Sequence, residues 1–137
     1  MDTSAPTLTR ILQVDDDEDI LMIGKTALEG YGGFEVETAL GGTEGLKAVA
    51  AFKPQLIVLD WMMPGMNGLA FMQELRRRPG GEEIGVVYMT ASVSESRRGE
   101  LIAAGALDVL TKPFDARGLS AQILAIWKRH HGVAAAG

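Results

Sequence analysis

Short runs rich in Val, Ile and Leu alternate with longer amphipathic segments about five times along the chain, and this alternation restricts the fold more than any other feature. The runs cover residues 11–14, 34–38, 56–59, 86–89 and 107–110. Strand-length runs separated by helix-length segments predict βαβ units, and therefore a parallel sheet with helices on both faces. Five such units predict a doubly wound α/β fold of three layers, with the strand order 2-1-3-4-5.

The length and composition fit one globular domain. The 137 residues suffice for a single domain and leave nothing over for a second. We expect residues 10–129 to form the domain, between a disordered N-terminal tail of residues 1–9 and a flexible C-terminal tail of residues 130–137. The hydrophobic share of 47% and the charged share of 23% are typical of soluble globular proteins and exclude global disorder.

Charge and residue usage exclude several classes of function. The net charge of −5 has the wrong sign for coating a phosphate backbone, so we expect no direct DNA binding. The absence of cysteine excludes disulfides, thiolate metal sites and a cysteine nucleophile. No apolar run approaches the ~18 residues of a membrane span, and residues 1–10 lack the features of a signal peptide. We therefore expect a cytoplasmic protein that does not bind membranes.

Chemically active side chains follow four of the predicted strands. Asp15 and Asp16 follow the first strand, Asp60 the third, Thr90 the fourth and Lys112 the fifth. Because ligands of open α/β sheets bind beyond the carboxyl ends of the strands, we expect these side chains to converge at one edge. Taken singly, each has an ordinary explanation, such as a helix cap, a local backbone hydrogen bond or a surface charge. Their convergence predicts a site.

The acidic residues predict a site for a hard cation. Asp15 and Asp16 repel one another at the end of a buried strand, so each tends to take up a proton unless a cation is present. Three carboxylates without histidine or thiol suit Mg²⁺, and we expect Mn²⁺ to substitute. An EF-hand calcium loop beginning at Asp15 is excluded, because its sixth and twelfth positions require Gly and Glu where this chain has Ile20 and Thr26.

The remaining residues at this edge predict phosphoryl chemistry. The hydroxyl of Thr90 and the ammonium of Lys112, opposite the carboxylates, form a receptor for a phosphoryl group. Pro113 restricts Lys112 to an extended conformation and makes a cis peptide bond possible. Asp60 is the candidate nucleophile, because a carboxylate attacks phosphorus without a general base. The expected product is an acyl phosphate on Asp60.

Four segments, in their order and spacing, carry a resemblance to a known family: ILQVDDDEDI, LIVLDWMMPGMNG, VVYMTAS and VLTKPF. They resemble the receiver domain of two-component response regulators, of the stand-alone chemotaxis-regulator type, over roughly residues 9–128. The resemblance implies a flavodoxin-like (βα)5 sandwich and transfer of a phosphoryl group to Asp60 from a histidine kinase or a histidine phosphotransfer protein. It also implies that the fourth helix, fifth strand and fifth helix present the signal to a downstream protein target.

The same resemblance implies a role for each residue of the site. The implied metal ligands are Asp15, Asp16, Asp60 and the backbone carbonyl of Met62. The implied phosphate-binding and switch residues are Thr90, Ala91 and Lys112, and Pro113 is the proline that usually follows a cis bond.

One residue, Val109, departs from the family pattern. Val109 stands where the family usually has Tyr or Phe, and a branched aliphatic side chain cannot swing a ring inward. We expect phosphorylation to survive this change and the usual threonine–aromatic relay to be affected.

Met62 and Ser92 occupy the positions that tune access of hydrolytic water in the family. Met62 cannot orient a water and Ser92 carries no charge, so we predict slow autodephosphorylation.

The expected function is a signalling module whose only reactions are its own Mg²⁺-dependent phosphorylation and slow autodephosphorylation. One alternative is a pseudo-receiver that binds partners with little switching, and another is a receiver excised from a larger regulator or hybrid kinase. A phosphatase of the haloacid-dehalogenase type is disfavoured, because Asp15 and Asp17 are followed by Asp19 and no threonine. The start at Met1 and the small-residue end of the chain favour a stand-alone protein, either a monomer or a weak phosphorylation-dependent dimer.

Overall fold

The computed structural model describes residues 7–91 and 94–131, which form one five-stranded parallel sheet covered by helices on both faces. The strands are β1 (Arg10–Asp15), β2 (Glu35–Leu40), β3 (Leu56–Asp60), β4 (Gly85–Thr90) and β5 (Asp108–Thr111). The helices are α1 (Glu18–Gly32), α2 (Gly42–Phe52), α3 (Gly68–Arg76), α4 (Glu95–Ala103) and α5 (Leu119–His130). The strand order is β2-β1-β3-β4-β5, so the predicted doubly wound fold is confirmed. Within the described ranges, no helix is long and apolar enough to cross a membrane.

The central strand β3 explains why the sheet is covered on both sides. All of its residues are buried, and successive side chains of a strand point to opposite faces. Ile57 and Leu59 belong to the apolar core that includes side chains of α2, α3 and α4. Leu56 and Val58 belong to the core that includes side chains of α1 and α5. A continuous apolar run is therefore required here, because neither face of the strand meets water.

The ends of the domain differ from the predicted tails. Residues 7–9, assigned to the N-terminal tail, include the buried side chain of Leu8. Thr9 N donates to Gln55 Oε1 at 2.7 Å, and Thr9 O accepts from Glu35 N at 2.7 Å. At the other end, His130 is the last residue of α5, and His131 stacks on Trp127 with ring centroids 3.6 Å apart. The domain therefore extends beyond residues 10–129, because apolar burial and backbone hydrogen bonds hold these flanking residues. Residues 1–6 and 132–137 lie outside the residues that the structure describes.

A buried glutamine determines how closely α1 approaches β1. Gln13 lies in the middle of β1 and is 2% exposed. Its Nε2 donates to Ile20 O at 3.2 Å, while its Oε1 has no hydrogen-bond partner among the described residues. Gly24 of α1 faces this amide, and a Cβ atom at position 24 would overlap it. The absence of a side chain at Gly24 is thus what lets the helix pack on this strand.

This packing predicts a context-dependent effect of alanine in α1. We expect Gly24→Ala to lower the free energy of unfolding by about 1–3 kcal/mol, because the new methyl group overpacks a filled core. Gly30, in the same helix, has open space around it. Gly30→Ala should therefore stabilise the protein by about 0.5–1 kcal/mol through helix propensity. Urea denaturation of both variants measures the difference.

The double variant Gln13→Ala/Gly24→Ala isolates the cause of this effect. Removal of the amide leaves room for the new methyl group, so the alanine at position 24 should cost less beside Ala at position 13 than beside Gln13. An unchanged cost in the double variant would show that the overlap with the glutamine is not responsible.

Candidate functional site

The carboxyl ends of the strands bring the predicted site residues into one cavity. Asp15 ends β1, Asp60 ends β3, Thr90 ends β4 and Lys112 directly follows β5. The cavity measures about 940 Å³ and opens at this edge of the sheet. Its lining includes these four residues together with Asp16, Asp17, Glu18, Asp19, Leu40, Trp61, Met62, Ala91 and Arg97.

Three carboxylates form the acidic side of the cavity. One oxygen from each of Asp15, Asp16 and Asp60 lies within 4.8 Å of the other two. Asp15 and Asp60 are buried, whereas Asp16 is exposed. Backbone amides hold the buried pair, because Asp15 Oδ1 accepts from Asp17 N at 3.0 Å and Asp60 Oδ1 accepts from Met62 N at 3.3 Å. A cluster of oxygen ligands that is open to water on one side fits Mg²⁺, which keeps several waters in its coordination sphere.

Lys112 neutralises part of this acidic charge. Its Nζ lies 2.9 Å from Asp15 Oδ2 and 3.3 Å from Asp60 Oδ1. Burial disfavours the charged ammonium, but the contacts with the two carboxylates outweigh burial and raise the pKa of Lys112. The backbone also anchors this residue, since Lys112 N donates to Thr90 O at 2.8 Å. The peptide bond between Lys112 and Pro113 is cis, as the resemblance implied.

Asp60 is the carboxylate whose ionisation the site opposes most clearly. Burial and the neighbouring charge of Asp15 raise the pKa of Asp60 to about 6, although Lys112 acts in the opposite direction. Six acidic side chains line the cavity, against the ammonium of Lys112 and the guanidinium of Arg97, so negative charge is in excess there. A cation bound to the carboxylates would favour the ionised form of Asp60 and so prepare it as a nucleophile.

Of the other predicted site residues, some line the cavity and others do not. Thr90 is buried at the end of β4, and Ala91 lies next to it in the cavity wall. The side chain of Met62 is 68% exposed at the rim of the cavity. Val109 is outside the cavity lining and is buried in the core beside Tyr88, its partner in the β4–β5 register. Ser92 lies outside the described residues.

Trp61 forms part of the cavity wall next to Asp60 and is supported from the core by Tyr88. The ring of Trp61 packs edge-to-face on the ring of Tyr88, with centroids 5.4 Å apart. Tyr88 Oη donates to Gly68 O at 3.0 Å, and a Cβ atom at Gly68 would collide with both rings. The guanidinium carbon of Arg97 lies 5.3 Å from the ring centroid of Trp61. The first turn of α3 and the first turn of α4 therefore both meet Trp61.

The family model of the response regulator receiver domain matches residues 11–124, which is most of the chain. The chain belongs to the response regulator receiver family. Receiver domains accept a phosphoryl group on an aspartate, generally bind Mg²⁺ and interact with histidine kinases or phosphotransfer proteins. The cluster of Asp15, Asp16 and Asp60 is where this receiver domain could hold such a metal.

Relatives and solved structures agree with this assignment. The receiver is 37% identical over 122 residues to the phosphate regulon transcriptional regulatory protein PhoB of Rhizobium meliloti, covering 89% of this chain and 53% of PhoB. It is 39% identical over 120 residues to the response regulator MprA of Mycobacterium leprae, covering 88% of this chain and 51% of MprA. The chain thus spans about half the length of these curated relatives.

Among solved structures, the chemotaxis response regulator CheY4 of Vibrio cholerae superposes with a TM-score of 0.80 at 29% identity, covering 88% of this chain and 99% of that one. The receiver domain of the Francisella response regulator 1452 superposes with a TM-score of 0.77 at 30% identity, covering 89% and 98%.

Two charged residues of this receiver were not predicted as parts of the site or its support. Arg97 lines the cavity because α4 begins beside its mouth, a placement that no local spacing in the sequence indicates. Asp108 is buried at the start of β5, where it bonds Arg98 Nη2 at 2.7 Å and Arg129 Nη2 at 2.8 Å. The sequence did indicate that Asp108 is paired, because an acidic residue within an apolar strand requires partners of opposite charge.

The raised pKa of Asp60 predicts a pH-dependent stability in metal-free protein. A group whose pKa rises on folding adds stability that is complete below its unfolded pKa of 3.8 and is lost as the pH rises through about 6. Asp60→Asn keeps a neutral side chain at every pH. We therefore expect this variant to exceed wild type in free energy of unfolding by about 1–3 kcal/mol at pH 7.5, and by much less at pH 4.5.

Urea denaturation in the presence of a chelator measures this difference at both pH values. Glu37→Gln, which removes an exposed carboxylate of β2, is the control and should show no comparable pH dependence. A stability gap between Asp60→Asn and wild type that is the same at both pH values would contradict the assignment of the effect to Asp60.

Proposed function

We propose that Asp60 accepts a phosphoryl group from the phosphohistidine of a kinase or phosphotransfer protein, and that the phosphorylated receiver signals through the face formed by α4, β5 and α5. The observation that carries this proposal is the position of Asp60. It is buried, bonded to a charged lysine and placed within 4.8 Å of two further carboxylates at the open edge of the sheet. The alternative of a pseudo-receiver is less favoured, because the acidic cluster and Lys112 are both assembled.

The transfer follows from the groups around Asp60. A carboxylate oxygen of Asp60 attacks phosphorus, and the P–N bond to the donor imidazole breaks with its electron pair remaining on nitrogen, which takes up a proton. The ammonium of Lys112 stabilises the negative charge of the transferring oxygens, and the hydroxyl of Thr90 donates to them. Asp15, Asp16 and Asp60 would hold Mg²⁺, which would neutralise further charge on the transferring oxygens. Mn²⁺ should serve in its place, since it accepts the same oxygen ligands.

The proposed reaction ends at one phosphoryl group per chain. Hydrolysis returns Asp60 when a water oxygen attacks phosphorus, inorganic phosphate leaves and the carboxylate keeps the electrons of the broken P–O bond. We propose that this step is slow and that the protein does not turn over phosphomonoesters as an enzyme. With excess p-nitrophenyl phosphate, release of no more than about one equivalent of phosphate within the lifetime of the Asp60 adduct formed from acetyl phosphate would support this. Many Asp60-dependent turnovers within that time would overturn it.

The face of α4, β5 and α5 is supported as a signalling surface by a buried ion-pair group. Asp108 of β5 is bonded to Arg98 of α4 and to Arg129 of α5, so the three elements share one charged anchor. Asp108 Oδ1 also accepts from Val109 N at 2.7 Å. A displacement of α4 therefore changes contacts that α5 and β5 also use, which is what a face read by a partner requires.

We propose further that the receiver acts by docking to a downstream protein, as a monomer or a weak phosphorylation-dependent dimer, and not by contacting DNA or membranes. The net charge of −5 supports docking to a protein and disfavours contact with a phosphate backbone. A larger regulator of the PhoB kind is the alternative. An immunoblot of source cells tests it, because a stand-alone receiver migrates near 14.6 kDa and a longer protein does not.

Intact mass spectrometry tests the central step. Incubation with acetyl phosphate and Mg²⁺ should add one phosphoryl group to wild type and none to Asp60→Ala, and a chelator should abolish the adduct. Glu37→Gln is the matched control that retains Asp60 and should be phosphorylated normally. An adduct that persists in Asp60→Ala would place the reaction elsewhere, and an absent adduct in wild type under every condition would favour the pseudo-receiver.

The lifetime of the adduct gives a second prediction. Met62 lies at the cavity rim and offers no group to orient a water molecule. We expect phosphoryl loss from wild type to be at least as slow as from the double variant Met62→Asn/Ser92→Glu, which introduces an amide and a carboxylate. The decay of the added mass after removal of the phosphodonor measures both rates, and faster loss from wild type would refute the prediction.

A further inference from the structure

Among the described residues that line the phosphorylation cavity, Arg97 is the only cation besides Lys112, and nothing in the proposed function uses it. The acidic lining residues are Asp15, Asp16, Asp17, Glu18, Asp19 and Asp60. A phosphodonor carrying about two negative charges therefore enters a strongly acidic cavity. Lys112 is already bonded to two carboxylates, so a second cation at the mouth is well placed to offset the repulsion.

We propose that Arg97 is a further phosphoryl-binding residue of this receiver. When Asp60 is phosphorylated, the guanidinium of Arg97 moves away from Trp61 and contacts the oxygens of the phosphoryl group. This inference rests on the proposed phosphorylation of Asp60. It assigns to Arg97 a role in binding and retaining the anion, in addition to the roles proposed for Lys112 and Thr90.

The present contacts of Arg97 are of a kind that an anion displaces easily. Its guanidinium lies over the ring of Trp61, with the guanidinium carbon 5.3 Å from the ring centroid. Its Nε is 3.7 Å from Glu100 Oε1, and both side chains of this pair are largely exposed, at 47% and 73%. Exposed cation–π contacts and exposed ion pairs are both weak. A phosphoryl dianion offers charge-assisted hydrogen bonds that are stronger than either.

The backbone of Arg97 is anchored, whereas its side chain is about half exposed. Arg97 N donates to Ser94 Oγ at 3.1 Å, which caps the first turn of α4. The guanidinium is thus carried on a long side chain from a defined helix start beside the cavity. The planar guanidinium suits a phosphoryl group better than an ammonium does, because it presents paired donors to two oxygens.

Affinities for an anion and for a cation, measured separately, test the proposal. Beryllofluoride, prepared from BeCl₂ and NaF, is the phosphoryl analogue, and its apparent Kd is measured by NMR titration in saturating Mg²⁺. We expect Arg97→Met to weaken beryllofluoride binding by about three- to tenfold through loss of a charge-assisted contact. Without beryllofluoride, calorimetric titration with Mg²⁺ should give binding that is tighter by about twofold, because a positive charge has left the cavity mouth.

Opposite changes in the two affinities distinguish a binding role from a structural one. A variant that merely disturbs the cavity weakens both ligands, and that result would overturn the proposal, as would unchanged beryllofluoride affinity. Arg77→Met is the matched control, because Arg77, directly after α3, forms an exposed ion pair with Glu74 at the same i,i+3 spacing and lies outside the cavity lining. It should leave both affinities unchanged.

Two further measurements keep the test decisive. Arg97→Lys retains the charge without the planar donors, so its beryllofluoride affinity should fall between wild type and Arg97→Met. If circular dichroism shows that Arg97→Met is unfolded, Arg97→Lys takes its place in the test. A beryllofluoride affinity equal to that of wild type in Arg97→Lys would then contradict a paired contact of the guanidinium with two phosphoryl oxygens. Failure of wild type itself to bind beryllofluoride would refute the proposed function, whereas normal binding in both wild type and the Arg97 variants would refute only the role of Arg97.

Discussion

The ammonium of Lys112 between Asp15 and Asp60 is the interaction on which the rest of the site depends. It joins the ends of β1 and β3 to the segment after β5, across the intervening strand β4. Carboxylates this close repel one another strongly when they are partly buried. Burial and the charge of Asp15 together raise the pKa of Asp60 to about 6, although Lys112 acts to lower it. Three clustered carboxylates face one ammonium, and this excess of negative charge favours the binding of a cation.

A site of this kind is compatible with folding because the surrounding scaffold is apolar and closely packed. β3 and β4 are buried along their whole length, and each face of the sheet has its own core. The strand ends are therefore held by contacts that do not involve the site. Backbone amides of Asp17 and Met62 then orient the carboxylates of Asp15 and Asp60. Electrostatic repulsion at the edge is a local cost to a structure whose stability comes from elsewhere.

The location of the site could be predicted because it follows from topology. Four of the five apolar runs lead into a charged or hydroxyl residue. Parallel strands bring their carboxyl ends to the same edge, so the convergence of Asp60, Thr90 and Lys112 on one cavity follows from the strand order. The position of Arg97 could not be predicted, because it depends on where α4 begins in space. The burial of Leu8 and the stacking of His131 were missed for a similar reason, since short polar-rich ends of a sequence carry no periodicity.

The effect of Val109 on signalling can be judged only from the side chains that pack around it and around Asp60. From sequence, it removes the aromatic side chain expected to follow the movement of Thr90. In the structure, the position is part of the core, and the aromatic groups near Asp60 are those of Trp61 and Tyr88. Trp61 is covalently next to Asp60 and touches both the Tyr88 ring and the guanidinium of Arg97. A change at Asp60 therefore has a direct packing route to α4 that does not require an aromatic residue at position 109.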